Sequence, residues 1–288
     1  MPAPDKPKQL DINTLGILAG AGQLPEQLAH ACEENGITPF IIGFRGHTDP
    51  ELLRNRYHLW TRLGRAAQVI NCLKSRDIRD LVFAGGIRRP GFTELTPDWR
   101  AARFFMRIGF RALGDDGLLK AVRHELESEG FVIHGVQDFI SDIVAAPGAI
   151  GHHKPDERQW ADIRAGLRIA RTLGEVDVGQ AVVMQDGLCL GVEAIEGTDE
   201  LIRRCGLMKR QGKYMPVLIK VSKPGQDRDM DLPTIGPETI ENAYKAGFAG
   251  VVIQAGHALV LNAGDIAELA DRYTMFVMGV SAESSEDE

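Results

Sequence analysis

The chain of 288 residues is long enough for about two domains, and 44% apolar with 25% charged residues is typical of globular proteins. This composition excludes wholesale disorder, a collagen-like repeat and a coiled coil. The net charge of −7 argues against general duplex binding, because nonspecific affinity comes from Lys and Arg that neutralise phosphates. We therefore expect no nucleic-acid partner and a small anionic ligand met by a few placed groups.

Sequence features that bear on compartment point to the cytoplasm. The four cysteines include no C-x-x-C pair, so neither a zinc site nor a redox dithiol is indicated. Residues 1–10 are rich in proline and charge and lack the apolar region of a secretory signal. The longest apolar runs, such as 248–253, are far shorter than the ~20 residues that span a bilayer. We predict a cytoplasmic protein, with peripheral membrane contact left open.

Strands alternate with helices in the first half of the chain. Strands are predicted at 14–19, 38–42, 81–84 and 131–134, and helices at 25–34, 65–75, 97–112 and 115–129. This alternation is typical of βαβ units, and it predicts a Rossmann-like α/β domain with a parallel sheet over 12–138. Ligands of such sheets bind beyond the carboxyl ends of the strands. The loops 20–22 and 85–90 lie there.

The second half is predicted to form a distinct C-terminal α/β domain over 156–280, after an unpatterned linker at 139–155. A hairpin is predicted at 180–184 and 188–192, since Gln185-Asp186-Gly187 tolerates positive φ. Further helices are predicted at 156–173, 199–205, 237–246 and 265–272, and strands at 216–221, 250–254 and 275–280. The acidic tail, 281–288, is predicted to be disordered.

The first glycine turn matches part of the dinucleotide motif G-x-G-x-x-G. Gly20 and Gly22 fit, but Pro25 holds the third glycine position, and no acidic residue ends the second strand to bind a ribose. An NAD-dependent oxidoreductase is therefore disfavoured. Two interpretations remain: the turn and the following helix N-terminus hold a phosphate, or the turn is tight and binds no ligand.

The segment 88–111 is basic, with a local charge of +4. Its predicted helix places Arg100, Arg103, Arg107 and Arg111 on one side, with apolar residues around the rest. Such a helix suits an anionic amphiphile or a membrane surface; the alternative is a core helix with a solvated arginine face. Arg89, in a loop after a strand, is the better candidate for a phosphate contact.

The loop 223–231 packs three carboxylates and two cations together, and further carboxylates, including Glu193, follow the hairpin. Mg²⁺ prefers acidic oxygens, usually one or two carboxylates with waters and substrate phosphate oxygens. A metal so held polarises phosphorus, and a neighbouring carboxylate can accept the proton of a water. The alternative is a solvated turn. Asp115-Asp116 is read as a helix cap, and His152-His153 as structural.

Seven motifs occur in unbroken order between residues 14 and 280. They are 16–25, 83–90, 114–119, 177–180, 192–199, 223–226 and 231–236. Together they closely resemble the two-domain UDP-2,3-diacylglucosamine pyrophosphatase family of lipid A biosynthesis, which differs from the calcineurin-like metallophosphatase that does the same job elsewhere. The resemblance implies a Rossmann-like domain and a distinct α/β domain that enclose the acylated sugar between them.

The resemblance also implies a reaction. Water attacks the nucleoside-side phosphorus of UDP-2,3-diacylglucosamine, with Mg²⁺ required, and gives UMP and 2,3-diacylglucosamine 1-phosphate (lipid X). The expected partners are this substrate, lipid X and the inner-membrane surface, and a homodimer is left open. The competing class is a non-catalytic nucleotide-sugar or lipid-binding protein that uses the same loops.

Site residues follow from the matched motifs. Asp231 matches the essential carboxylate of the family and is assigned to metal binding or water activation, with Asp227 second and Glu193 as a further metal ligand. Asp229 departs from the basic residue expected in that stretch, and Arg228 is expected to substitute. The substrate-binding candidates are Gly20, Gly22, Gln23, Gly85, Arg89, Gln180, Lys223, Gln226 and Thr234.

Overall fold

The computed structural model describes residues 11–87, 97–108, 115–212 and 214–281. The chain divides into two compact units, Met1–Ser141 with Asp227–Asp231, and Asp142–Gln226 with Leu232–Glu288. Residues 227–231 were predicted to lie within the C-terminal domain, whereas the structure groups this segment with the first unit. Met230 gives one physical reason, because its side chain is buried in the apolar core of the first unit.

The first unit is built on a five-stranded parallel sheet with the order β3-β2-β1-β4-β5. Its strands are β1 (Thr14–Ala19), β2 (Thr38–Phe44), β3 (Tyr57–Thr61), β4 (Asp80–Ala84) and β5 (Val132–His134). Its helices are α1 (Leu24–Glu34), α2 (Ala66–Lys74), α3 (Trp99–Ile108) and α4 (Asp115–Ser128). The strand order reverses between β1 and β4, which is the topological switch point of a doubly wound sheet. The predicted Rossmann-like parallel sheet is confirmed.

The central strands were predicted from their apolar runs, and the edge strand β3 was not. Leu15, Ile17 and Ile41 are fully buried, as expected for parallel strands covered on both faces. Among the described strands β3 pairs only with β2, and Tyr57 and His58 at its start are both exposed. Two adjacent exposed side chains break the alternation between the faces of the strand, so no period-2 pattern marks β3 in the sequence.

The second unit holds a six-stranded mixed sheet with the order β6-β13-β11-β9-β7-β8, and a small parallel pair, β10-β12. The strands are β6 (Gly148–Ala149), β7 (Ala181–Gln185), β8 (Leu188–Val192), β9 (Val217–Lys220), β10 (Thr234–Ile235), β11 (Gly250–Gln254), β12 (Leu259–Val260) and β13 (Phe276–Val280). The helices are α5 (Glu157–Glu175), α6 (Thr198–Met208), α7 (Pro237–Ala246) and α8 (Ala263–Arg272). β9, β11 and β13 run parallel, whereas β6, β7 and β8 are antiparallel to their neighbours.

The predicted hairpin forms as β7 and β8. Asp186 and Gly187 both have positive φ, 54° and 79°, which is the geometry that a two-residue type I′ turn requires. Asp162 of α5 is buried and accepts hydrogen bonds from the backbone N–H groups of Asp186 (2.8 Å) and Gly187 (2.6 Å). One carboxylate therefore fixes the helix to the hairpin turn.

The six-stranded sheet separates two apolar clusters. Leu218 of β9 and Ile253 of β11 belong to one cluster, and their neighbours Ile219 and Val252 belong to the other. This alternation follows from the opposite directions of successive side chains along a strand. No helix among the described residues is long and apolar enough to span a bilayer.

Candidate functional site

Two glycine turns follow β1 and β4 in the first unit and bond directly to each other. The N–H of Gly20 donates to the carbonyl of Ala84 (2.8 Å), and Ala21 and Gly86 exchange N–H to carbonyl bonds of 2.7 and 3.1 Å. A Cβ at Gly20 would lie 2.5 Å from the Gly86 carbonyl oxygen, and one at Gly85 would lie 2.4 Å from that of Ala21. Close backbone approach therefore accounts for these two glycines without a ligand.

The remaining part of the first turn is open. Gly22 has φ +92° with nothing within 4 Å of an added Cβ, and Gln23 is exposed and makes no side-chain bond to the start of α1. Both residues lie beyond the carboxyl end of β1, where sheets of this order bind ligands. Their role in substrate binding stays a prediction. Arg89, the predicted phosphate contact, lies outside the described residues.

Residues 227–231, here called the Asp231 turn, form a tight turn that ends at the half-buried Asp231. The Asp231 N–H donates to the backbone carbonyl of Asp227 (3.0 Å), and the Asp229 N–H donates to Asp227 Oδ1 (3.0 Å). Arg123 Nη1 donates to both carboxylate oxygens of Asp227, at 2.7 and 2.8 Å. Arg123 was not predicted from the sequence, because it lies 104 residues away from its partner.

The guanidinium of Arg123 is permanently charged. Its hydrogen bonds to Asp227 and then to Glu127 raise the pKa of Arg123 above its ordinary value. A free arginine is already protonated throughout the pH range in which proteins fold. The turn therefore rests against a fixed positive charge at every working pH.

Three of the sequence motifs meet in the second unit at the carboxyl ends of β9 and β11, in what we call the polar cluster. Its members are Gln180, Glu193, Lys220, Ser222, Lys223, Gln226 and Gln254. The side-chain oxygen of Gln254 accepts from the N–H of Ser222 (3.0 Å). The side-chain oxygen of Gln226 accepts from the N–H of Lys223 (2.9 Å) and the hydroxyl of Ser222 (3.0 Å). Gln226 is thus a buried brace of the 222–226 turn.

Lys223 and Glu193 both have partners within the second unit. Lys223 Nζ donates to Asp177 Oδ1 at 2.7 Å, which joins the motifs 177–180 and 223–226. Glu193 is buried and accepts from the Gln180 N–H (3.1 Å) and from the Thr198 hydroxyl (2.6 Å). One oxygen of Glu193 thus holds the start of the hairpin and the other holds the start of α6. Its carboxylate supports the shape of the polar cluster.

Gln180 is the member of the polar cluster with capacity for a ligand. Its side-chain oxygen is buried and accepts no hydrogen bond from the described residues. An unsatisfied buried acceptor costs about 1–3 kcal/mol, and a water, an ion or a bound molecule commonly satisfies such a group in a native structure. This oxygen favours the predicted role of Gln180 in substrate binding.

Lys220 was missed by the sequence analysis. It is only 8% exposed at the carboxyl end of β9, and its Nζ donates to the backbone carbonyl of Thr234 at 3.0 Å. The hydroxyl of Thr234 donates to the Leu232 carbonyl (3.0 Å), so this predicted substrate residue is engaged locally. A lysine that ends an apolar strand, Val217–Lys220, is the sequence signal that could have identified it.

The predicted metal ligands differ in what they offer a cation. No three His, Cys, Asp or Glu side chains in the described part of the chain lie close enough to hold a metal ion. Both carboxylate oxygens of Asp227 and of Glu193 accept hydrogen bonds within the protein. Mg²⁺ is commonly bound by one or two carboxylates that share it with substrate phosphates. Whether Asp231 supplies one such carboxylate stays a prediction.

These observations define a class of protein. The chain combines a doubly wound α/β unit that has glycine turns at its switch point with a second α/β unit whose polar cluster lies at the carboxyl ends of parallel strands. Ligand-binding α/β proteins place their sites at both kinds of position.

Comparison with known proteins gives the family. The model of the LpxI N-terminal domain matches residues 14–143, and that of the LpxI C-terminal domain matches 146–278. The chain is 37% identical over 273 residues to the UDP-2,3-diacylglucosamine pyrophosphatase LpxI of Caulobacter vibrioides, covering 92% of this chain and 97% of the relative. The chain belongs to the LpxI family, and the resemblance found in the sequence is confirmed.

The solved structures that match are only remotely similar to this chain. The biotin carboxylase domain of the Hydrogenobacter thermophilus 2-oxoglutarate carboxylase is 14% identical, with a TM-score of 0.21, and the match covers 68% of this chain and 40% of that one. The biotin carboxylase subunit of pyruvate carboxylase is also 14% identical, with a TM-score of 0.21 and coverage of 60% and 35%. The chain spans two fifths or less of these structures.

Proposed function

We propose that this protein hydrolyses UDP-2,3-diacylglucosamine to UMP and 2,3-diacylglucosamine 1-phosphate (lipid X) in lipid A biosynthesis. The observation that carries this proposal is the pyrophosphatase relative, which is 37% identical and matched over 97% of its length. The motifs around Asp231 and Gln180 fall within the described residues and hold defined positions in the two units.

The reaction is a displacement at phosphorus. The oxygen of a water bonds to the nucleoside-side phosphorus, the bond from that phosphorus to the bridging oxygen breaks, and the sugar 1-phosphate departs with the bridging oxygen. Bound Mg²⁺ would polarise the diphosphate and neutralise its developing charge. We assign Asp231 either to holding that ion or to accepting the proton of the attacking water.

The polar cluster is suited to the polar parts of the substrate. The unsatisfied oxygen of Gln180 can accept from a sugar or ribose hydroxyl, and Lys223, oriented by Asp177, supplies a positive charge for the diphosphate. Metal binding by Asp227 and Glu193 remains a prediction. Both carboxylates accept hydrogen bonds from protein groups, and they would have to give up these bonds to coordinate a cation.

We further propose that the protein works in the cytoplasm at the surface of the inner membrane. Two acyl chains make the substrate an amphiphile, so the enzyme must meet it at a lipid surface. Trp99 and Met106 of α3 are 64% and 80% exposed, and the neighbouring Arg103 is exposed as well. Apolar and cationic groups side by side are typical of membrane-surface helices.

The direct test measures UMP release from UDP-2,3-diacylglucosamine with Mg²⁺ and with excess chelator. We expect release by the wild type with Mg²⁺, and a loss of roughly 10²- to 10⁴-fold in Asp231→Asn if this carboxylate takes part in proton transfer. Asp77→Asn is the matched control, because Asp77 is exposed and has φ 52°, which asparagine tolerates.

One result would overturn the proposed activity, and another would overturn the proposed role of Asp231. Tight substrate binding without UMP release under several divalent ions would instead indicate a nucleotide-sugar or lipid-binding protein. Wild-type rates in Asp231→Asn would remove Asp231 from the mechanism.

A further inference from the structure

Arg123 of α4 binds two aspartates of the Asp231 turn with one guanidinium nitrogen. Its Nη1 donates to both oxygens of Asp227 and to Asp229 Oδ2 at 3.0 Å, while its Nε donates to Glu127 at 2.8 Å. The side chains are half-buried to buried, with exposed fractions of 26% for Arg123 and 11% for Asp227. All of these groups belong to the first unit.

Asp227 in turn holds the backbone that leads to Asp231. Its Oδ1 accepts from the Asp229 N–H, and its backbone carbonyl accepts from the N–H groups of Met230 (3.3 Å) and Asp231 (3.0 Å). Met230 is 8% exposed and packs in the apolar core of the first unit. Met230, directly before Asp231, and Asp227, four positions before it, are therefore both held in place.

Electrostatic repulsion makes the conformation of the Asp231 turn depend on the positive charge of Arg123. Asp227, Asp229 and Asp231 put three carboxylates within five residues, and like charges at such spacing repel one another. The single positive charge of Arg123 contacts two of them, Asp227 and Asp229, and offsets part of this repulsion. Removing one partner from a buried pair leaves the other charge uncompensated, so loss of Arg123 would loosen the turn.

We infer that Arg123 and Asp227 are a positioning pair that sets the conformation of the Asp231 turn, and that Asp227 acts through this pair rather than as a metal ligand. The catalytic part of this inference rests on the proposed function. The conformational part does not, because the pair would hold the turn whatever the substrate.

The first experiment needs no substrate. Hydrogen exchange of Arg123→Gln should show the peptide with residues 229–231 exchanging on the order of tenfold faster, with peptides of β1 and β2 unchanged, because local opening is governed by local contacts. Arg79→Gln is the matched control, since Arg79 makes an exposed ion pair with Asp77. Unchanged exchange across 229–231 in Arg123→Gln would overturn the inference.

The second experiment separates positioning from metal binding. Arg123→Gln, Asp227→Asn and the double variant should each lower kcat by about 10²-fold, the size of effect that misplacement of a reacting group can produce. KM and the Mg²⁺ concentration for half-maximal rate should stay at wild-type values, and the double variant should be no worse than either single one. Arg123→Lys, which keeps the charge, should recover part of kcat and serves if the glutamine variant does not fold.

A raised Mg²⁺ requirement in Asp227→Asn alone, or additive losses in the double variant, would overturn the positioning role. The outcome can be told apart from failure of the proposed function. An inactive wild type would sink the pyrophosphatase assignment, whereas the exchange experiment would still decide whether the pair holds the turn.

Discussion

At the scale of single residues, the three carboxylates predicted to bind metal have different surroundings. Asp227 is held by an arginine, Glu193 by a hydroxyl and a backbone N–H, and Asp231 lies at the end of the turn that Asp227 caps. A carboxylate that is already satisfied by protein donors must lose those bonds before it coordinates a cation. Asp227 and Glu193 are for this reason less available to a cation than the sequence motifs alone suggest.

Glu193 provides a test of this distinction. We expect Glu193→Ala to lower the free energy of unfolding by about 1–3 kcal/mol, because the buried N–H of Gln180 and the hydroxyl of Thr198 lose their acceptor. Urea denaturation measures the change, and Glu268→Ala, at an exposed position of α8, is the control. Under conditions in which the variant is folded, the Mg²⁺ dependence of its activity should match that of the wild type. A large increase in the Mg²⁺ requirement would show that Glu193 is a ligand.

The site could be predicted from sequence only where its chemistry is local. The motif around Asp231 was recognisable because its residues are contiguous, and the glycines of the first turn because a βα turn leaves a short signature. Arg123 could not be found in this way, since its partner lies 104 residues further on and a charged residue on a helix ordinarily indicates a solvated face. Gln226 was predicted to bind substrate, yet its buried bonds to Ser222 and Lys223 are invisible to a local pattern.

At the scale of elements, the central strands were predicted from their continuous apolar runs, and the edge strand β8 from the turn that joins it to β7. β1, β9, β11 and β13 lie within their sheets with neighbours on both sides. Such strands are buried, and their residues are therefore mostly apolar. The strands that were not predicted are short or lie at an edge, such as β3 and the two-residue strands β10 and β12. Their existence depends on partners elsewhere in the chain rather than on their own residues.

The glycine turns after β1 and β4 give a prediction at this scale. We expect Gly20→Ala to destabilise the protein by about 1–3 kcal/mol, as overpacking does, because its Cβ would lie 2.5 Å from the carbonyl oxygen of Gly86. The obstacle is backbone, so no rotamer change relieves it. Gly264→Ala is the control, since an added Cβ there meets nothing within 4 Å and alanine favours the helix. Thermal unfolding compares the two, and equal stabilities would show that the turns separate without cost.

At the scale of the whole molecule, net charge and local charge point in opposite directions. The chain carries −7 overall, with several acidic residues in the tail beyond 281, while the segment 88–111 carries +4. Screening in salt limits the reach of the overall charge to about 8 Å at physiological ionic strength. Contact with an anionic membrane is then decided by the local segment, of which the described part includes Trp99 and Arg103.

Vesicle binding tests this account. Arg103 is exposed, whereas Arg100 of the same helix is paired with Glu129, so replacing Arg103 removes surface charge without breaking that pair. We expect Arg103→Gln to weaken binding to vesicles rich in phosphatidylserine about fivefold, equivalent to ~1 kcal/mol per basic residue near an anionic surface. The loss should shrink as salt is added. Arg168→Gln, the same charge change at an exposed position of α5 in the second unit, should bind as the wild type does; equal weakening in both variants would mean that net charge, and not the α3 surface, governs the encounter with lipid.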